Sequence, residues 1–295
     1  MRIRGIAAAA TAVALSLTLA ACGGDEGDET ATEVESAPTF EAGTTMATLS
    51  EQGSITVGTK FDQPLFGLKG LDGKPQGFDV EIAKIIAGAM GISPDNINWI
   101  ETPSAIREEV IEQGRADMVV ATYTINDNRK QRISFAGPYY IAGQDIMVLK
   151  DNPKNITGPD DFRTNGAKVC SVQGSTPGEN IKQYLGTPDQ LVLFDVYSKC
   201  ADALRQGQVD AVTTDNVILL GLVDASDDRF EIVGEAFTEE PYGIGITKGD
   251  VAFCEFINET LQTAADDGAY ATAWEETAGA VQEEAPELPP ADTCA

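Results

Sequence analysis

Residues 117–140 read DMVVATYTINDNRKQRISFAGPYY, and the fold turns on how this stretch is parsed. Met118-Val119-Val120-Ala121 is an apolar, β-branched run of the kind that makes a short buried strand. The chain then turns polar at Thr122, Tyr123 and Thr124, with Arg129 a few positions on. Hydroxyls and backbone amides at the carboxyl end of a strand, with a guanidinium close behind, can chelate a carboxylate. The guanidinium offers two parallel donors to the two carboxylate oxygens. Open α/β sheets bind ligands at that end of their strands. A solvated arginine after a strand end is the plain alternative, and this stretch alone leaves both open.

The residues upstream favour an open parallel sheet. Ser54 to Gly58 predicts a strand, and Asp72-Gly73 predicts a turn in a hairpin-like segment. Asp79 can cap a helix whose apolar positions Ile82, Ile85, Ile86 and Met90 keep helical spacing until Gly91 ends it. A strand at Ile97–Ile100 follows. Pro103 then suits the first turn of a helix carrying Ile106, Val110 and Ile111, closed by Gly114. The order β-α-β-α-β is an α/β layout. One internal echo extends it. Gln113-Gly114-Arg115-Ala116-Asp117-Met118-Val119 and Gln206-Gly207-Gln208-Val209-Asp210-Ala211-Val212 share the form Gln-Gly-x-x-Asp-x-Val. Each follows a helical pattern and runs through a strand into threonines: Thr122 and Thr124 in one, Thr213 and Thr214 in the other, with Asp215 behind the second pair. Two similar lobes would present two strand ends to one cleft, although a common helix-Gly-strand connection arising twice by chance reads equally well from the echo alone.

The strand, small-x-Thr-x-x-x-x-Arg and Phe-x-x-Pro-Tyr sequence (ending Phe135 to Tyr139) resembles the extracellular solute-binding proteins that feed polar amino acids to ABC importers. The resemblance runs from about Ser54 to Gly279 and is strongest with glutamate-binding members. It is carried by Thr59-Lys60-Phe61-Asp62-Gln63-Pro64, Pro103-Ser104-Ala105-Ile106-Arg107-Glu108, Ala121-Thr122-Tyr123-Thr124-Ile125-Asn126, Cys170-Ser171-Val172-Gln173-Gly174-Ser175-Thr176-Pro177 and Tyr242-Gly243-Ile244-Gly245. It implies a type II periplasmic-binding-protein-like α/β fold with the ligand cleft between two lobes. Lobe 1 would be 50–142 plus 246–282 and lobe 2 would be 143–245. The chain would cross near Ala142-Gly143 and return near Tyr242 to Gly245, where glycines suit a hinge.

A free amino acid brings an α-carboxylate, an α-ammonium and a side chain, and each charge needs its own partner once water is excluded. The resemblance assigns the α-carboxylate to Arg129, Thr124 and Thr122, with Ser175 and Thr176 closing from lobe 2 at a strand-to-helix turn. Asp215, at the end of the second echo strand, would take the ammonium; its plain alternative is a helix N-cap. Ser104-x-x-Arg107 resembles a Ser-x-x-Arg that acidic-ligand members use on the distal carboxylate, and Lys60 stands where many relatives carry an acid. Phe61 would pack on the aliphatic part of the ligand. Lys60 and Arg107 in one pocket imply an anionic side chain, L-glutamate first, with aspartate, glutamine and asparagine as neighbours. An ion pair of Arg107 within its own helix is poorly placed, since the positions that face it, Val110 and Ile111, are apolar.

Composition narrows the alternatives. The net charge of the 295 residues is −27, and 42% are hydrophobic. Without residues 1–21, which hold Arg2 and Arg4 and no acid, 18 basic residues face 47 acidic ones and the charge is −29. Nucleic-acid binding needs the opposite sign, and long-range steering disfavours an anionic ligand, so attraction must come from local Arg and Lys. There is no histidine, which removes Ser-His and Cys-His nucleophile pairs and His metal sites. No P-loop, dinucleotide fingerprint or calcium loop is present, and neither a cofactor nor a metal is expected. A lyase or hydrolase on the same fold would have only Asp62 and Asp215 to work with. A third alternative is a sensor that reports ligand to a signalling partner.

Arg2 and Arg4, the short apolar stretch Ile6–Leu19 and Leu19-Ala20-Ala21-Cys22 read as an export signal ending in a lipobox. The expected product starts at a diacylated Cys22 and is tethered, palmitate-like chains inserted, to the extracellular face of a bacterial cell membrane. Residues 22–49, acidic and without a basic residue, predict a disordered tether. Residues 283–295 predict an extended C-terminal tail, since prolines crowd it. Cys170, Cys200, Cys254 and Cys294 in an exported chain predict two disulfides with three possible connectivities. The lobe division favours Cys170–Cys200 and Cys254–Cys294. The expected assembly is a monomer that docks on an ABC permease.

Overall fold

In the computed structural model, which describes residues 38–295, the stretch at 117–140 becomes a short strand, one helical turn and a long strand. Cys22, the signal segment and the tether up to residue 37 lie outside the described residues. In chain order the first lobe holds α1 (Thr45–Gln52), β1 (Ile55–Thr59), a small antiparallel sheet of β2 (Asp62–Gln63), β3 (Gly67–Lys69) and β4 (Pro75–Gln76), α2 (Phe78–Ala89), β5 (Ile97–Glu101), α3 (Arg107–Glu112), β6 (Met118–Val119), α4 (Asp127–Lys130) and β7 (Ser134–Ala142). The second lobe runs through β8 (Gln144–Leu149), α5 (Asp161–Asn165), β9 (Val169–Val172), α6 (Thr176–Asn180), β10 (Leu191–Phe194), α7 (Tyr197–Arg205), β11 (Ala211–Asp215), α8 (Asn216–Asp224) and β12 (Phe230–Val233). The chain then returns through β13 (Glu240–Ile246), α9 (Val251–Asp267) and α10 (Ala269–Glu275).

The two echo segments explain the architecture. The first sheet has the order β5-β1-β6-β13-β7 and the second β10-β9-β11-β8-β12, so each echo strand, β6 and β11, is the middle one. Each is parallel to one neighbour, β1 or β9, and antiparallel to the other, β13 or β8. The motif residues do equivalent work. Gly114 and Gly207 end their helices at φ 63° and 68°, a left-handed turn that favours glycine. Asp117 Oδ2 accepts from Thr56 N at 2.7 Å, at the start of β1. Asp210 Oδ2 accepts from Lys168 N at 2.8 Å, just before β9. Each aspartate sets the register of a parallel pair by satisfying the amide that the ladder leaves free.

Four expectations change. The tether ends before residue 49, because α1 begins at Thr45 with Thr44 as its side-chain cap and buries Met46, Ala47 and Leu49. An acidic composition describes the residues before it, but Met46 and Leu49 pack into the lobe 1 core. The return to lobe 1 lies upstream of Tyr242–Gly245, because β13 pairs with β7 from Glu240 onward, with a register shift at Gly243. Asp79 does not cap α2; Gly77 does, at φ 128°, where an added Cβ would lie 2.3 Å from the carbonyl carbon of Phe66. Pro103 stands just ahead of a 3₁₀ turn, Ser104–Ile106, that leads into α3.

Both disulfides join the expected partners, Cys170 to Cys200 and Cys254 to Cys294. The first ties β9 to α7. The second fastens the C-terminal tail to α9, and Asp292 N donates to Gly137 O at 2.7 Å while Ser134 Oγ donates to Ala295 O at 2.7 Å. The lobe 1 core is aromatic: Phe66, Phe78, Tyr139, Tyr242 and Trp274 are fully buried, and Tyr140 stacks on Trp274 at 5.3 Å.

Candidate functional site

The carboxyl ends of β6 and β11 face one another across the cleft, and the lobes touch there. A nearly filled cavity of about 10 Å³ lies between them, walled by Ser104, Arg107, Thr122 and Thr124 from the first lobe and by Ser175, Thr176, Tyr197 and Asp215 from the second. Lys60 joins it through Ser104, donating to Ser104 Oγ at 2.8 Å. Arg129 lies at its outer edge and, with Thr176 and Gly174, lines the adjoining open groove. Phe61 is not brought to the cavity; it is half-buried, with Lys69 Nζ 4.8 Å from its ring centre. A larger hollow of about 390 Å³ elsewhere is walled by Leu185, Pro188, Leu191 and Leu193 and offers only Lys182 as a charge.

Arg107 is 2% exposed. Its Nη1 donates to Ala121 O at 2.8 Å and Thr122 O at 3.3 Å. Its Nε has no partner among the described residues. The guanidinium lies 4.0 Å from the centre of the Tyr123 ring, and that of Arg129 lies 5.0 Å from it. The ring gives two like charges a common attractive surface. Burial, then the charge of Arg107, pushes the Lys60 ammonium down to about 7.

Arg129 is held from three sides. Nη1 donates to Thr124 O at 2.6 Å, Nη2 to Gly174 O of the other lobe at 3.0 Å, and Nε lies 3.2 Å from Glu108 Oε1. Of its five N–H groups, one on each terminal nitrogen remains for a ligand. Burial, then the like charge of Arg107, lowers its pKa to about 10.

Thr122 occupies a position with φ 45°, unusual for a β-branched residue. Asp79 Oδ2 accepts its amide at 2.7 Å, and its hydroxyl donates to Gln63 Oε1 at 3.0 Å. Asp79 also accepts from Tyr139 OH at 2.5 Å. Burial raises the Asp79 carboxyl to about 7. This aspartate therefore shapes the turn that presents Thr122 to the cavity.

On the lobe 2 side, Ser175 caps α6: its hydroxyl accepts from Gly178 N at 3.0 Å and donates to Val172 O at 2.7 Å, and its amide donates to Val172 O at 3.2 Å. Ser175 thus forms wall and cap. Thr176 Oγ1 is 2.6 Å from Glu240 Oε2 and 3.2 Å from Thr124 Oγ1, so it joins the lobes. Asp215 is the cap residue of α8 by position but makes no side-chain cap bond. Its Oδ2 accepts from Tyr242 OH at 2.6 Å, and its Oδ1 has no partner among the described residues. Burial first, then the charge of Glu240, raises its carboxyl to about 7.

Sequence reasoning missed Glu240, Asp79, Tyr123 and Tyr197, and left Glu108 out of the site. The first two had no local signal: one opens a strand and one sits in the first turn of a helix. Tyr123 was visible as the residue between Thr122 and Thr124 but was not assigned a role.

The fold and the cleft agree with the comparisons. Residues 55–277 match the family model for bacterial extracellular solute-binding proteins, family 3, and the chain belongs to that family. It is 39% identical over 281 residues to the glutamate-binding protein GluB of Corynebacterium efficiens, covering 92% of this chain and 89% of that one. The ABC transporter glutamine-binding protein GlnH of Bacillus subtilis is 37% identical over 228 residues, or 77% of this chain and 81% of that one. Among solved structures, an ancestral arginine-binding protein bound to arginine superposes with a TM-score of 0.70 at 35% identity, covering 76% of this chain and 98% of that one. A solute receptor for L-cysteine of Neisseria gonorrhoeae reaches 0.74 at 28% identity, with 83% and 99% covered. These are binding proteins, and this chain is one rather than an enzyme.

Proposed function

We propose that this chain is the lipid-anchored binding subunit of an amino-acid ABC importer and that its ligand is L-glutamate. The observation that carries the ligand is the Arg107 corner: a buried guanidinium with an unpartnered Nε, beside Ser104 and the buried Lys60. A distal carboxylate placed there meets two cations. Arg129 and Thr124 hold the α-carboxylate, Thr122 and Thr176 flank it, and Asp215 Oδ1 takes the ammonium. Aspartate presents the same charges on a shorter stem. Glutamine and asparagine lose the charge that answers Arg107, at a cost of about 1–3 kcal/mol. The likeness to GluB supports glutamate and the likeness to GlnH keeps glutamine as the competitor.

Thermal unfolding of the protein against the standard amino acids tests the ligand. At about 1,000 times its dissociation constant a ligand stabilises by about 4 kcal/mol. Glutamate, with or without aspartate, raises the midpoint if the reading is right; a shift with glutamine alone overturns the assignment of Arg107 and Lys60. For the anchor, Cys22→Ala should move the protein from the membrane fraction to the medium.

A further inference from the structure

Helix α7 lacks a cap of its own. Its cap position is Val196, in extended conformation at φ −139° and with no side-chain bond to the helix amides. The preceding acid, Asp195, is turned to Lys199 Nζ at 2.7 Å. The first amides of a helix have no partner within it, and here they are met from the opposite lobe. Asp62 Oδ2, in β2, accepts from Tyr197 N at 2.8 Å and from Ser198 N at 3.2 Å.

One end of this contact walls the ligand cavity, and the other lies two residues from Lys60. Asp62 follows Lys60 by two residues on one segment of lobe 1. Tyr197 walls the cavity beside Asp215. Cys200, one turn further along α7, is bonded to Cys170 of β9, the strand that leads to Gly174, Ser175 and Thr176. Moving α7 therefore moves the lobe 2 wall, and moving Asp62 moves the lobe 1 cation.

We propose that Asp62 is a positioning residue that caps α7 only when the lobes are closed, so that part of the stability of α7 is made conditional on ligand capture. An acid at the cap position of α7 itself would satisfy the same amides whether the lobes were open or closed. Val196 keeps the amides dependent on Asp62. This rests on the binding-protein reading for its purpose, but the contact can be tested without it.

The test compares the full chain with Asp62→Ala, Val196→Asp and the double variant. L-glutamate and L-glutamine are the probes, association and dissociation are followed by intrinsic fluorescence, and hydrogen exchange is read at the Tyr197 and Ser198 amides. Asp62→Ala should speed dissociation roughly five- to tenfold, the size of a lost cap, leave association within twofold, and expose both amides. Val196→Asp should also speed dissociation, because it caps the open form, while its ligand-free melting point stays at or above that of wild type. The double variant should regain amide protection and not affinity. Unchanged dissociation in Val196→Asp, or amides that stay protected in Asp62→Ala, overturns the proposal. If the wild type binds neither probe, the ligand assignment fails instead, and whichever standard amino acid raises the melting point replaces them as the probe with which exchange in the three variants decides the cap.

Discussion

Arg107 holds two main-chain carbonyls with one nitrogen, and its buried Nε has no partner among the described residues. Lysine keeps the charge but cannot hold both carbonyls and lie on Tyr123. Arg107→Lys should weaken glutamate at least tenfold in calorimetry and weaken glutamine less. Three other groups at this site set the response to pH. Asp79 and Asp215 have folded values near 7 against 3.8 for the ordinary carboxyl. Between about 4 and 7 the folded chain binds more protons than the unfolded one, so their contribution to stability falls as pH rises through that window. Lys60 falls from 10.5 to about 7, so the folded chain binds fewer protons above 7 and stability recovers toward higher pH. Urea midpoints between pH 5 and 7 should fall less steeply in Asp215→Asn than in wild type, by up to about 1.4 kcal/mol per pH unit. Glutamate affinity should peak near neutrality: acid protonates Asp215 and alkali discharges Lys60. Glutamine should keep only the acid limb. That Asp215 walls the cavity and Arg129 the adjoining groove was legible, because one ends and the other closely follows a strand of recognisable pattern. Glu240 and Asp79 were not, because what makes them matter is a partner more than forty residues away, in Thr176, Thr122 and Tyr139.

At the level of single elements, the turn after β6 stores strain. Thr122→Gly relieves the left-handed backbone, whereas Thr122→Ala keeps it, and both lose the hydroxyl bond to Gln63. The glycine variant should therefore unfold at higher denaturant, by about 1 kcal/mol. The C-terminal tail is the other case. Its cysteine spacing was readable, but not that its last residues lie under β7, since no periodicity marks them. The disulfide closes 40 residues, for which chain entropy gives about 4 kcal/mol. Cys294→Ser should lower stability by an amount of that order in urea. The body of α2 and its end at Gly91 were readable, because apolar spacing and an end glycine are local, whereas its start was not. The boundary errors at α1 and β13 arose where burial against distant residues, not composition, decides.

On the scale of the whole molecule, closure depends on close approach. Gly221 in α8 faces Pro64 of the opposite lobe, and an added Cβ would lie 2.5 Å from the Pro64 carbonyl oxygen. Gly221→Ala favours the helix by about 1 kcal/mol yet keeps the lobes apart. It should raise or preserve the ligand-free melting point and weaken ligand binding more than tenfold. Overall charge acts at longer range. A protein of −27 repels an anion, so added salt should speed glutamate association severalfold in stopped-flow mixing. Two lobes were legible from the repeated Gln-Gly-x-x-Asp-x-Val and the family resemblance together. The bonds between them were not, since each joins residues that no sequence pattern pairs.

The second sheet is formed by one unbroken run of chain, while the first is assembled from two separate runs. The ends of the unbroken run meet: Phe237 N donates to Gln144 O at 3.0 Å, and Gln144 N donates to Thr238 Oγ1 at 3.0 Å. Segments with adjacent ends can be lifted from one chain and set into another. Residues 143–239 are thus a cassette, carrying Asp215, Thr176 and their own internal disulfide. Arg107, Lys60 and Arg129 stay behind with the host. Exchange of this cassette between relatives would replace Asp215, the residue proposed to take the ammonium, and leave unchanged Arg107 and Lys60, the residues proposed to meet the side chain.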